Sequence, residues 1–393
     1  MFEALSYENL QIYWWIIISL LGGFLVFLLF VQGGQTLMDK LSDNEDEKAV
    51  VLNITGHKWE FTFTTLVVFG GAFFASFPLF YSTSFGGAYW VWYIILFAFI
   101  VQAVSYEYRK KKNNFLGSKT FEAFLKFNGF IAPFLLGVAV STFFTGSPFS
   151  IHKENIVKLS SNVEAVISQW ATPWHGLEAL WTTEHLAFLQ NILLGLAVLV
   201  LARLNALLYI RKMTDEASIL AKVKKCIPRH SILFLVLFLA WFIRLLFIDG
   251  FAIHPDTHEV FMQAHKYFNN LIEMPVTLLI LLAGLAGVLY GLYKANFKAD
   301  EKAIWYTAIG TILTVIALFF MAGFNHTPYY PSTYDLQSSI SIANSSSSRF
   351  TLITMSYVSL MVPFVLAYII WAWRAMDAKK IDRKELEQEF EKY

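Results

Sequence analysis

Long apolar runs, separated by short charged stretches, set the pattern of this chain from end to end. A helix that crosses a bilayer needs about 20 mostly apolar residues. Nine segments meet that length: 12–31, 59–81, 88–108, 121–144, 186–210, 231–248, 273–293, 303–323 and 350–373. The pattern predicts an all-α polytopic membrane protein with nine transmembrane helices in a single membrane domain, residues 1–393. Nine crossings put the two termini on opposite sides. The N-terminal residues lack the basic start and small-residue cleavage site of a leader, so the first run is expected to stay as an anchor.

Basic residues fall on one side of this frame. The stretches holding Lys40 to Lys58, Arg109 to Lys119, Arg211 to Arg229, Lys294 to Lys302 and the tail from Arg374 carry 23 of the 30 Lys and Arg residues. The opposite set carries only Lys153, Lys158, Lys266 and Arg349. Positive charge stays on the cytoplasmic side of a bacterial inner membrane. The N-terminus is therefore expected outside, with residues 374–393 as a charged cytoplasmic tail that reads as a solvated helix from Asp377. Outside, residues 145–185 read as an interfacial cap around Trp170, Trp174 and Trp181, and 324–349 as a polar connector.

Composition supports a membrane chain and narrows its chemistry. Hydrophobic residues make up 56% and charged residues 15%, against roughly 25% charged in soluble chains. A net charge of +1 points to no nucleic acid, and the single Cys226 leaves no intrachain disulfide or CxxC pair. Phosphate loops, nucleophile elbows and zinc spacings are absent. The nine histidines fall in loops or at helix edges, whereas a haem between helices takes axial ligands at mid-span. No haem is expected on this chain, and no metal at His254 and His258.

Charged residues within or beside the spans are the remaining candidates. Lys126 follows Glu122 by four and is expected to pair with it; Glu107 is expected to pair with Arg109. Arg244 and Asp249 flank the outer end of the sixth helix and are expected to snorkel, and Glu273 suits the positive end of the seventh. Gly71 with Ala75, Gly284 with Val288, and Gly287 with Gly291 are small-residue packing positions. Pro78, Pro133, Pro275 and Pro363 are expected to interrupt spans. Glu60, just inside the second span, has two readings: a helix-start cap, or an acid held at the membrane because it conducts protons. With Glu107 it forms a pair of acids at the inner ends of adjacent helices. Trp59 and Thr64 flank Glu60 as supporting residues.

One block is more specific. Gly56-x-x-Trp59-Glu60, followed by Gly70-Gly71-Ala72-Phe73-Phe74-Ala75-Ser76-Phe77-Pro78-x-x-Tyr81-x-x-Ser84-Phe85-x-Gly87, resembles subunit II of the cytochrome bd ubiquinol oxidases. Tyr13-Trp14-Trp15, Tyr106-Glu107-Tyr108-Arg109, Ile248-Asp249-Gly250-Phe251 and Asn269-Asn270 before Pro275 agree in order along the chain.

The resemblance implies two four-helix bundles plus one peripheral helix. It also implies a partner, subunit I, that carries haems b and d, oxidises quinol and reduces dioxygen to water, with protons taken from the cytoplasm. An additional small subunit and a structural quinone occur in some members. Glu60 matches the acid of the family's Trp-Asp pair, assigned to a proton path, and Glu107 matches the acid ending helix three. Two departures stand out: the family's acids near the end of helix one read Leu28 and Val31 here, and an arginine of helix three reads Gln102. Outside that family, a proton-coupled transporter and a purely structural subunit are the alternative readings.

Overall fold

The computed structural model describes residues 1–111, 113–152 and 167–381. Among them, nine helices are long and apolar enough to cross a membrane. Lys112, Lys153, Lys158, Arg383, Lys384 and Lys392, used above to orient the chain, lie outside the described residues, as does most of the expected tail helix.

The chain begins with α1 (Tyr7–Leu28), capped by the Ser6 hydroxyl accepting from the Asn9 amide. It continues through α2 (Phe30–Gln35), α3 (Met38–Leu41) and α4 (Glu45–Gly56) to α5 (Trp59–Ser76). The stretch between the first two spans, expected to be a loop, is thus largely helical. Val50, Val51, Leu52 and Ile54 of α4 are buried, so it belongs to the packed body. After α6 (Pro78–Phe80) and a π-helical turn, Tyr81–Gly86, come α7 (Tyr89–Tyr108) and α8 (Ser118–Thr145). The second half comprises α9 (Ala187–Met213), α10 (Ala217–Phe247), α11 (Lys266–Glu273), α12 (Pro275–Tyr293), α13 (Ala303–Gly323), α14 (Ile342–Ser345), α15 (Arg349–Ser359) and α16 (Val362–Met376).

The prolines act differently from one another. Pro78 follows a break at Phe77, Pro275 opens α12, and Pro363 sits in the first turn of α16. Pro133 instead lies inside an unbroken α8, contrary to expectation. A proline in a membrane helix is tolerated where neighbours or local adjustment satisfy the freed carbonyl.

At one end of the bundle, β1 (Phe149–Ile151) pairs antiparallel with β2 (Ser168–Trp170), and β3 (Gly250–Ile253) with β4 (Val260–Gln263). Residues 324–349, expected as a simple connector, close onto these hairpins. Ser147 bridges Ser332, Tyr330 bridges Ile340, and the Phe149 and Tyr330 rings stack at 5.1 Å. Tyr329 and Tyr330 are buried, so the connector is a packed part of a cap on this end of the bundle. Trp170 is buried there and donates to the Thr83 carbonyl at 3.1 Å, while Trp174 and Trp181 remain exposed.

Close backbone approach sets the helix pairing, because lipid offers no hydrophobic drive between helices. A Cβ on Gly310 of α13 would lie 2.4 Å from the Val288 nitrogen of α12, and one on Gly284 would lie 2.6 Å from the Thr314 nitrogen. Gly287 and Gly291 face the same helix. The Gly71 position differs from its expected packing role: it is exposed, and a Cβ there meets nothing within 4 Å.

The ninth span, α15 with α16, is largely exposed and is held at two places. Along α15, Tyr13 and Trp14 of α1 bond to Ser359 and Ser356 at 2.6 and 3.1 Å. At the far end, Asp377 follows α16 and is not solvated as expected. Its carboxylate meets Lys58 at 3.1 Å and Lys212 at 2.5 Å, and accepts from Tyr209 Oη at 2.7 Å and Trp373 Nε1 at 3.0 Å. The Lys58 side chain is 1% exposed and that of Asp377 is 7% exposed. The Lys58 ammonium also lies 4.8 Å from the Trp373 ring centre. Burial pushes the Asp377 carboxyl up, but the hydrogen bond from Lys212 and the charge of Lys58 outweigh it and hold the group below the usual range.

Replacing Asp377 by Leu strands two cations, one of them fully buried, and should cost about 3–5 kcal/mol; thermal unfolding in detergent measures this. Because the folded pKa is depressed, the carboxylate's contribution is complete above the unfolded value of about 3.9 and is lost as pH falls through the lower folded value. The Asp377→Leu difference should therefore shrink on acidification below pH ~4. Gly310→Ala should destabilise by roughly 1–3 kcal/mol through backbone overlap, while Gly71→Ala, meeting no atom, should leave the chain's melting temperature equal or higher.

Candidate functional site

Lys58 marks a kink between α4 and α5, and Trp59 opens α5, so Glu60 lies in the first turn where the helix dipole favours a negative charge. Trp59 turns inward, buried, with its ring stacked on Tyr106 of α7 at 6.1 Å and 16°. Glu60, the next residue, turns outward and is exposed, as is Thr64 one turn later. Glu107 follows Tyr106 in the last turn of α7 and is likewise exposed. The Trp59–Tyr106 stack thus joins the start of α5 to the end of α7, with an outward carboxylate beside each partner. Glu60 and Glu107 make no hydrogen bond or ion pair with each other or with another described residue.

The expected pairings of the inner acids are rearranged. Arg109 points inward rather than to Glu107 and gives Glu122 two bonds, at 3.1 and 2.7 Å. Glu122 takes Lys48 on its other oxygen at 3.1 Å, so it does not pair with Lys126. Lys126 instead meets Asp39. Both Arg109 and Glu122 are buried. A buried carboxylate needs such partners because desolvation is expensive and only close, hydrogen-bonded countercharge offsets it. Helical spacing placed Lys126 near Glu122, but the stretch between the first two spans folds back and brings Lys48 closer.

Behind this stack lies a cluster of neutral amides that the hydropathy pattern did not single out. Gln35 on α2 donates to Tyr106 Oη at 3.2 Å, and Gln32 donates to Gln102 Oε1 at 3.2 Å. Asn128 of α8 and Asn205 of α9 are also fully buried. Thr62, rather than Thr64, is the buried threonine near the start of α5, donating to the Leu28 carbonyl at 3.0 Å. Gln32 Oε1, Gln35 Oε1, Gln102 Nε2, Trp59 Nε1 and both amide atoms of Asn128 and Asn205 lack a hydrogen-bond partner among the described residues. Buried polar atoms are ordinarily bonded to protein or ordered water, so this cluster is polar ground within an apolar bundle. One amide in twenty residues leaves a span apolar on average, and the search for chemistry along the spans followed charge; the Gln32-Gly-Gly-Gln35 spacing was the available signal.

A cavity of about 290 Å³ lies deeper, between α1, α5, α8, α9, α10, α12 and α13. Leu25, Phe69, Phe73, Leu136, Phe143 and Phe319 form much of its wall. The Thr311 hydroxyl, on the same wall, has no hydrogen-bond partner among the described residues. His230, expected at a helix edge, lies inside α10, which starts earlier than the apolar pattern indicates; its Nδ1 is 2.8 Å from the Cys226 carbonyl. Arg244, expected to snorkel, donates to the His185 and Leu186 carbonyls at 2.5 and 3.2 Å. Glu273, just before α12, accepts from Asn325 at 2.6 Å.

Comparison with known proteins places this arrangement. Residues 10–376 match the family described as cytochrome bd terminal oxidase subunit II. The chain is 26% identical to the probable cytochrome oxidase subunit 2 of Haemophilus influenzae, covering 97% of this chain and 99% of the relative. It is 23% identical to the cytochrome bd-I ubiquinol oxidase subunit 2 of Escherichia coli K12, covering 98% of each. It is 25% identical to the cytochrome bd ubiquinol oxidase subunit 2 of Bacillus subtilis, covering 95% of this chain and 97% of the relative. A match spanning all nine candidate membrane helices, with the Trp59-Glu60 and Tyr106-Glu107 pairs at one end of α5 and α7, shows that this chain belongs to the cytochrome bd terminal oxidase subunit II family.

Proposed function

We propose that this chain is the haem-free subunit of a bd-type quinol oxidase and that Glu60 passes cytoplasmic protons to a haem-bearing partner, with Glu107 as its neighbour on α7. The observation that supports this reading most is the outward position of both carboxylates beside the buried Trp59–Tyr106 stack. Below them the same helices carry exposed apolar side chains, Val67 and Phe74 on α5 and Tyr93, Phe97 and Ile100 on α7. A face of this kind suits a second membrane subunit, and an acid at its inner rim then lies at the subunit boundary. The proton is handed across that boundary rather than through this chain's own core. Trp59 orients the start of α5, and Thr64, one turn along, lies on the same outward side.

The remaining parts of the reading follow from this assignment. The partner, subunit I, holds the b and d haems and the quinol site; a small accessory subunit is compatible with the exposed ninth span. Two four-helix bundles with α15 and α16 peripheral, an outside N-terminus and a cytoplasmic tail from residue 374 in a bacterial inner membrane complete the arrangement. The 290 Å³ cavity suits a structural quinone: its wall is apolar, as an isoprenoid tail requires, and the Thr311 hydroxyl is available to a ring oxygen. The quinone would serve packing there.

Replacing Glu60 by Gln in the purified complex should lower quinol-driven oxygen consumption about tenfold or more, the scale of a lost proton-transfer group, with the haem absorption bands unchanged. Full turnover in that variant would leave Glu60 as a helix-start charge and this chain as a structural subunit. Organic extraction of the complex should release quinone in fixed proportion to haem, and Leu25→Trp, which fills the cavity, should reduce that yield.

A further inference from the structure

The outer end of the bundle contains a second cavity, of about 780 Å³, where α8 ends, α9 begins and α10 ends. Part of its wall is apolar, with Phe144, Leu186 and Phe247. Four polar atoms on the rest of the wall have no hydrogen-bond partner among the described residues: Glu178 Oε1, Gln190 Oε1, Arg244 Nε and Thr172 Oγ1. Glu178 is 4% exposed and Gln190 is 0% exposed.

The other atoms of these side chains are already committed. Glu178 Oε2 accepts from the Gly176 amide at 2.9 Å, and Gln190 Nε2 donates to the Trp241 carbonyl at 3.1 Å. Arg244 Nη2 is taken by the His185 and Leu186 carbonyls. The Thr172 hydroxyl lies near Glu178 without closing a well-formed bond. Glu178 and Arg244 form no ion pair with each other, nor with any other described residue. The cavity therefore presents two acceptor oxygens, one of them anionic, and a separate cationic donor. Burial pushes the Glu178 carboxyl above its usual range, the mark of a buried acid short of countercharge.

A metal ion does not suit the site, since no three His, Cys, Asp or Glu side chains converge among the described residues. A zwitterion does. The cavity also opens beside a lipid-facing stripe on α10, Leu239, Ile243 and Phe247, spaced by four and all exposed. We propose that this cavity binds the head group of a phosphatidylethanolamine-type lipid, its primary ammonium donating to Glu178 Oε1 and Gln190 Oε1, its phosphodiester accepting from Arg244 Nε, and its acyl chains lying along the α10 stripe.

Recognition then depends on N–H donors. A choline head group is cationic but has no N–H to give the two oxygens, and a glycerol head group has no cation for Glu178. Leaving a buried acceptor unmatched costs enough to separate such head groups by about tenfold.

Native mass spectrometry of the complete complex, delipidated and then titrated with phosphatidylethanolamine, phosphatidylcholine or phosphatidylglycerol of identical chains, tests this. The expected result is one tightly held phosphatidylethanolamine, at least about tenfold preferred over the other two. That preference should fall in Glu178→Gln, which keeps the Gly176 contact, and in Gln190→Leu. Equal retention of all three lipids by the wild type, or an undiminished preference in both variants, overturns the proposal. Should a variant fail to assemble, the wild-type head-group preference alone decides.

Discussion

Charge buried where water is scarce must be matched within the protein, and the end of this bundle that carries Lys58 and Glu122 is built around that constraint. Lys58, Lys212 and Asp377 form one matched group, and Arg109, Lys48 and Glu122 another. Each group joins elements distant in sequence: α5, α9 and α16 in the first, α4, α7 and α8 in the second. Removing one member leaves the others desolvated without compensation, which is far more costly than never burying them. These ends of the helices are therefore fixed by electrostatics, while α12 and α13 are fixed along their length by close packing of small residues.

This division of labour bears on function. A carboxylate can relay protons only if it is free to change charge without unlocking the fold. Glu122 and Asp377 are held between cations and are poor candidates for that reason. Glu60 and Glu107 have no such hold among the described residues, and each lies beside a rigid aromatic residue. The chain separates acids that lock its structure from acids that remain available at its surface, and the proposed proton role falls on the second group.

The opposite end follows a different logic. There the two hairpins and the segment after α13 interlock through backbone pairing and stacked rings, burying Tyr329 and Tyr330. Glu178 Oε1, Gln190 Oε1 and Arg244 Nε, without hydrogen-bond partners among the described residues, line one cavity there, the one proposed to take a lipid head group.

The nine spans, the inner Trp59-Glu60 and Tyr106-Glu107 pairs and the family resemblance were legible in the sequence, because hydropathy over 20 residues and short aromatic-acid motifs are local signals. The partner of each buried charge was not. Helical spacing assigned Lys126 to Glu122, and adjacency assigned Arg109 to Glu107, yet the fold gives Glu122 to Arg109 and to Lys48 of α4, which packs back against the bundle instead of looping through solvent. The same folding turned Asp377 from an expected solvated tail residue into a buried anchor, and it paired Gln32 with Gln102 and Gln35 with Tyr106 between α2 and α7. Local periodicity determines which segments enter the membrane; which side chains meet there depends on how those segments cross, and only the tertiary structure decides that.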